Sequence, residues 1–147
     1  MPKISLIAVG KLKERFWKEA CEEYLKRLQA YAKVSVREVP DSTPAKEEAA
    51  ILAALPGDAQ LILLDINGTE TSSLGLSAKL DALALGGTSH IAFIIGGSDG
   101  VSAAVKAAAH QRISFGPITL PHNLARVVLL EQIYRAYKIS HGEPYHK

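Results

Sequence analysis

The chain has 147 residues, 48% of them hydrophobic and 22% charged, with a formal net charge of +2 and a single cysteine. That length is one ordinary domain, and the balance of apolar and charged residues excludes wholesale disorder. One cysteine excludes an intramolecular disulfide framework and a multi-cysteine zinc site, and no apolar run approaches the roughly 18 residues of a membrane span.

Lys3 to Val9 reads as a buried strand ended by Gly10, too short and too soon followed by charge for a signal peptide. A soluble, cytoplasmic chain is therefore the expectation. Residues 13–31 read as an amphipathic helix with Phe16, Ala20, Tyr24, Leu28 and Tyr31 on its apolar face. Val34, Val36 and Val39 form a second strand, with Arg37 and Glu38 turned outward. Pro40 to Pro44 is a turn cluster, and Ala45 to Leu55 an Ala-rich helix stopped by Pro56-Gly57-Asp58. Leu61 to Leu64 is a buried strand ending at Asp65, and Asn67-Gly68-Thr69 is a loop. Leu74 to Leu85 is a helix ended by Gly86-Gly87. Ile91 to Ile95 is a fully apolar strand that runs directly into Gly96-Gly97-Ser98-Asp99-Gly100. Val101 to Ala109 is a short helix, and Ile113 to Leu120 a strand broken by Gly116-Pro117. Asn123 can cap a last helix running to about Ser140, with Ala125, Val128, Leu129, Ile133 and Ala136 inward.

Strands alternating with helices predict a single α/β domain over residues 1–147 with a largely parallel sheet. The strands lack in/out alternation, which suits a sheet covered by helices on both faces. Charge is uneven along the chain. Residues 1–37 sum to +5, residues 38–90 to −6 and residues 91–147 to +3. Two basic ends around an acidic middle can form the face a polyanion binder needs, or they can be ordinary solvated helix surfaces.

The chemistry-bearing residues cluster where such sheets bind ligands, beyond the carboxyl ends of the strands. The glycine loop 96–100 permits close backbone approach, although its G-G-x-x-G spacing is neither a dinucleotide fingerprint nor a phosphate loop with its lysine. Asp99 is a general base or a cap for the following helix. His122 stands between a strand and a helix start, as a site residue or as a polar loop histidine. Arg126 and Arg135 lie nine residues apart, on opposite sides of the last helix. Tyr145, His146 and Lys147 combine a ring, an imidazole and a cation, groups that grip single-stranded bases. The histidines have no metal-ligand spacing, and no nucleophile-elbow serine is present, so neither a metal site nor a serine hydrolase is expected.

Six segments in this order resemble the RlmH family, small SPOUT-class methyltransferases of large-subunit ribosomal RNA. They are Ile4-to-Gly10 (ISLIAVG), Leu63-Leu64-Asp65, Phe93-to-Gly100 (FIIGGSDG), Ile118-to-His122 (ITLPH), Glu131-to-Ala136 (EQIYRA) and Pro144-Tyr145-His146. The resemblance runs nearly end to end, and is weakest and short from Asp41 to Gln60. It implies a fold whose C-terminal chain forms a deep trefoil knot, which periodicity alone would not suggest. It implies a homodimer that binds S-adenosylmethionine and methylates N3 of a pseudouridine in 23S rRNA, in the large subunit or the assembled ribosome. By the same resemblance Leu64, Gly96, Gly97 and the run Phe115, Gly116, Pro117, Ile118, Thr119, Leu120 hold the cofactor. His122, Asp99 and Arg135 are the catalytic candidates, and Arg126, Tyr134, Tyr145 and His146 face RNA. Relatives typically read G-G-P-E-G where this chain has Ser98-Asp99, so the acid is one methylene shorter and the proline is lost. The rival readings are a SPOUT enzyme acting on another RNA such as tRNA, a non-enzymatic ribosome-binding factor, and a Rossmann-type nucleotide enzyme.

Overall fold

A computed structural model describes residues 1–145. Strand and helix alternate throughout: β1 (Lys3–Val9), α1 (Arg15–Leu28), β2 (Lys33–Val39), α2 (Pro44–Ala54), β3 (Gln60–Glu70), α3 (Ser73–Leu85), β4 (His90–Ile95), α4 (Ala103–Ala108), β5 (Gln111–Ser114) and α5 (His122–Ser140). The five strands form one sheet in the order β2-β1-β4-β3-β5, and every pairing is parallel. This is the α/β architecture that the sequence predicts.

Each strand's two sides feed different layers. Ile4, Leu6, Ile62 and Phe93 pack on one face with Cys21 and Leu28 of α1, Leu76 and Leu80 of α3, and Leu129 and Ile133 of α5. Ile7, Val9, Leu63 and Ile94 pack on the other with Ile51 of α2 and Val105 of α4. All six residues of β4 are buried, which is why that strand is apolar without alternation. Each such Leu, Ile or Phe contributes about 1.5–3 kcal/mol by leaving water. Short polar side chains set the helix starts. Thr43, Ser72 and Ser102 accept from the amides of Lys46, Gly75 and Val105 at the heads of α2, α3 and α4.

The structure departs from the sequence expectation in four places. The inner face of α1 is turned toward Cys21 and Leu28, with Trp17, Tyr24 and Leu25 against the core, and Phe16 is 62% exposed. Glu38 is exposed as expected, yet it also accepts a hydrogen bond from the buried Arg126 of α5, a tie the local sequence does not suggest. β3 does not stop at Asp65; after a register shift between Leu64 and Thr69 it pairs again with β5 as far as Glu70. Gly68 permits that continuation, because a Cβ there would sit 2.7 Å from the Arg112 carbonyl carbon. β5 is only four residues long, so residues 115–121 are loop rather than strand. Asn123 does not cap α5: the helix begins at His122 behind Pro121, with no side-chain cap.

α4 leaves β4 on one face of the sheet, whereas α1 and α3 leave the neighbouring β1 and β3 on the other. The connections therefore diverge at the carboxyl edge and open a crevice there.

Candidate active site

The glycine loop after β4 folds tightly on itself. The Gly100 amide donates to the Gly97 carbonyl at 3.0 Å, and Gly100 takes φ +77°. Gly96 has no room for a side chain, since its Cβ would stand 2.7 Å from Val101 Cγ1 and 2.9 Å from the Gly100 oxygen. Asp99 is exposed and does not cap the next helix, because Ser102 does so. Asp99 lines the crevice.

The second wall is the segment after β5. Ser114 is buried, accepts from the Gly116 amide at 3.0 Å and donates to the Gly116 carbonyl at 3.2 Å, fixing the turn in which Gly116 takes φ +109°. Phe115 packs inward against the core while Ile118 is 77% exposed. The third wall is the end of β3. Asp65 accepts from the Asn67 amide at 3.0 Å and pairs with Arg112 at 3.2 Å, which holds the chain beyond Leu64.

Together these walls enclose a cleft of about 410 Å³, within the range of small-ligand sites. Leu64, Gly96, Gly97, Phe115, Gly116, Ile118, Thr119 and Leu120 line it, together with Asp99 and His122. Of the expected cofactor residues only Pro117 lies outside the lining. Apolar side chains from three segments, with backbone amides between them, suit a flat heterocycle carrying a polar edge.

His122, the first residue of α5, also lines a neighbouring cleft of about 610 Å³ at the ends of β1 and β2. Gly10 ends β1 with φ +93°, and a Cβ on it would lie 3.8 Å from His122 Nε2. Below them Arg126 is 3% exposed. It donates to Glu38 at 2.7 Å and to the Gly10 carbonyl at 3.1 Å. Arg126 is thus a buried strap joining α5 to the ends of β1 and β2, not a surface cation for RNA. Its Nε and the Oδ1 of Asn123 are buried polar atoms without a hydrogen-bond partner among the described residues.

Arg135, Tyr134 and Tyr145 stand elsewhere. Arg135 pairs with Glu131 at 2.8 Å and lies 4.7 Å from the Tyr145 ring centroid. Tyr145 donates to Glu131 at 2.9 Å and meets Tyr134 edge-on at 4.9 Å. Burial, then the bond to Glu131, pushes the Tyr145 phenol up to about 12. Lys138, bonded to Glu143 at 2.9 Å, is held above the usual lysine range by that carboxylate. This aromatic and cationic face, built from α1, α5 and the tail, does not border the cleft, so Arg135 does not join His122 within one chain. His146 lies outside the described residues. Among those residues no three His, Cys, Asp or Glu side chains converge as a metal site.

Sequence reasoning missed Gly10, Glu38 and Lys106. Lys106 lines the first cleft, and the other two build the second. Only Gly10 carried a signal, as the stop to a buried strand; Glu38 and Arg126 are 88 residues apart, and nothing local connects them.

A family model described as predicted SPOUT methyltransferase matches residues 2–146. The chain is 50% identical to a protein of Listeria monocytogenes serotype 4b named ribosomal RNA large subunit methyltransferase H, covering 98% of this chain and 99% of that one. It is 46% identical to a Bacillus thuringiensis protein of the same name over the same shares. Both alignments span 157 positions, more than the 147 residues here, so these relatives carry insertions relative to this chain. Among solved structures, a probable methylase family protein from Haemophilus influenzae Rd KW20 superposes with a TM-score of 0.56 at 13% identity. The match covers 99% of this chain and 70% of that one, a likeness of fold.

Proposed function

The chain belongs to the SPOUT methyltransferase family, among the ribosomal RNA large subunit methyltransferases H, and from that premise we propose that it methylates N3 of a pseudouridine in 23S rRNA. The observation that carries the reading is the convergence of the glycine loop, the end of β3 and residues 114–120 on one cleft, with His122 at its edge. The methyl donor is S-adenosylmethionine. The enzyme works as a homodimer with a knotted C-terminal segment, acts in the cytoplasm and needs no metal. No helix among the described residues is long and apolar enough to cross a membrane.

When bound, the donor would supply a methyl group activated by its sulfonium, and the proton displaced from the acceptor nitrogen would pass to a base of this chain. Leu64, Phe115 and Leu120 would hold the donor's adenine and exclude water from it. Gly96 and Gly97 bring backbone amides close to the donor's polar groups. Asp99 lines the same cleft, where its negative charge would favour a bound cation. His122 lines both clefts, and in this reading it takes the N3 proton. Arg135 and Tyr145 serve at the RNA face or at the partner's site.

The test is transfer of labelled methyl to assembled ribosomes, isolated subunits and naked 23S rRNA from cells lacking this gene, with the label mapped by nucleotide. Label on N3 of one pseudouridine is the expected result. Label on tRNA, offered as a fourth substrate, would move the substrate. Donor binding without transfer to any RNA would overturn the reading.

A further inference from the structure

We infer that the cleft at the ends of β1 and β2 seats the target nucleotide of the RNA, with Asn123 as the acceptor that reads its base and Lys11 and Lys13 as its phosphate contacts. The inference rests on the methyltransferase reading of the neighbouring cleft and assigns the other half of the reaction.

Three observations carry it. The first is adjacency. His122 lines both clefts, so a base in one meets a methyl donor in the other at that side chain. Methyl transfer needs its reacting atoms about 3–3.5 Å apart. A volume of about 610 Å³ holds a nucleoside extruded from an RNA loop.

The second is Asn123. It lines this cleft and not the other, and its buried Oδ1 has no hydrogen-bond partner among the described residues. A buried orphan acceptor costs about 1–3 kcal/mol. A pseudouridine has two ring N–H donors, so once the Asn123 amide turns toward the cleft an inserted base offers the missing partner while its second donor faces His122.

The third is charge. Lys11 and Lys13 are exposed at the mouth, suited to the flanking phosphates. Glu38 beneath them is neutralised by Arg126, so the floor does not repel the strand. Glu14 and Asp41 at the same mouth are acceptors that a ribose 2′-hydroxyl can use and a deoxyribose cannot.

The experiment compares the full-length protein with K11E/K13E and with Asn123→Ala. It measures KM for large ribosomal subunits, the salt dependence of subunit binding, and Kd for S-adenosylmethionine by calorimetry. Truncating Asn123 removes no protein hydrogen bond at its Oδ1, so this variant is expected to fold. K11E/K13E is expected to raise the KM for subunits about tenfold or more and to lower the salt slope by about 1.5. Donor Kd should be unchanged. Asn123→Ala is expected to lower kcat/KM about tenfold, with donor Kd again unchanged. Unchanged KM and salt slope in K11E/K13E would overturn the inference, as would a parallel loss of donor affinity. Either result with normal transfer by the unaltered protein would leave the assigned function standing. Absence of transfer by the unaltered protein would remove both.

Discussion

The buried pair of Arg126 and Glu38 makes an asymmetric prediction. Arg126 is 3% exposed, whereas the Glu38 side chain keeps 35% of its surface in water. Glu38→Gln therefore strands a guanidinium that water cannot reach. Breaking a buried pair this way costs about 3–5 kcal/mol. The lower figure applies, because a glutamine oxygen still accepts one N–H and the Gly10 carbonyl, at 3.1 Å, remains a partner. Arg126→Met keeps most of the volume and leaves a carboxylate that rehydrates, along with an unpaired Gly10 carbonyl, for about 1–3 kcal/mol. The double variant should recover about 1–3 kcal/mol relative to the sum of the single losses, since neither charge is then left alone. Thermal and urea unfolding followed by circular dichroism, at fixed protein concentration, measures all three. At about 2–4 °C per kcal/mol for a chain of this size, Glu38→Gln lowers Tm by roughly 6–12 °C. A Glu38→Gln loss below about 2 °C, or strict additivity in the double variant, would refute the strap.

Other expectations rest on glycine packing and on titration. Gly96→Ala forces a Cβ to within 2.7 Å of Val101 Cγ1, and donor affinity by calorimetry should fall about tenfold or more; unchanged affinity would show that the loop does not shape the cleft. Gly68→Ala places a Cβ 2.7–2.9 Å from the backbone of Arg112 and Ile113 and should cost about 1–3 kcal/mol in urea unfolding. Tyr137 and Tyr145 should ionise near about 12 in an ultraviolet titration, against about 10 for a free phenol. Their folded pKa is raised, so the stabilisation is fully present below about pH 10 and is lost as pH rises toward 12. Tyr145→Phe should remove one of the two late steps. Glu143 behaves oppositely. Its bonds to Lys138 and then to Tyr31 lower its pKa, so that contact is intact above the ordinary carboxylate range and lost as pH falls through the lowered value. Lys138→Met should shrink this acid-side loss in a pH series of Tm without abolishing it, because the Tyr31 bond to Glu143 remains.

Much of the architecture was legible because buried parallel strands are apolar runs. Lys3–Val9 and the Ile91–Ile95 run emerge almost residue for residue, and Ser73–Leu85 ends at its glycines. The parts that misled are those where a distant partner overrides local signal. Asn67-Gly68-Thr69 carries turn residues, yet it lies within β3: Asn67 and Gly68 fall in the register shift, and the flanking Leu64 and Thr69 both pair with Ile113 of β5. The apolar character of Phe115, Ile118 and Leu120 reads as strand, but Ser114 turns the chain through Gly116 and these residues serve a cleft instead. Asp99 and Ser102 are both plausible caps. The point at which the helix starts decides between them, and a helix boundary is not written in propensity to within a residue or two. The site's glycine loop and His122 were visible as elements at strand ends. The burial of Arg126 was not, because a lone arginine in a helix gives no sign of a carboxylate 88 residues earlier.

The strand order has a consequence for how the molecule is made. β1 is the first strand to be synthesised, yet one of its two neighbours in the sheet is β4, whose residues begin 87 positions after those of β1, as the pairing of Lys3 with His90 records. β3 likewise waits for β5. Both clefts are closed by His122 at the head of the last helix, so neither exists until the final helix is in place. Such long-range pairings fold slowly. A nascent or truncated chain ending before α5 therefore carries the glycine loop and all five strands but no working site. Acquisition of activity during synthesis should lag behind acquisition of helix and sheet.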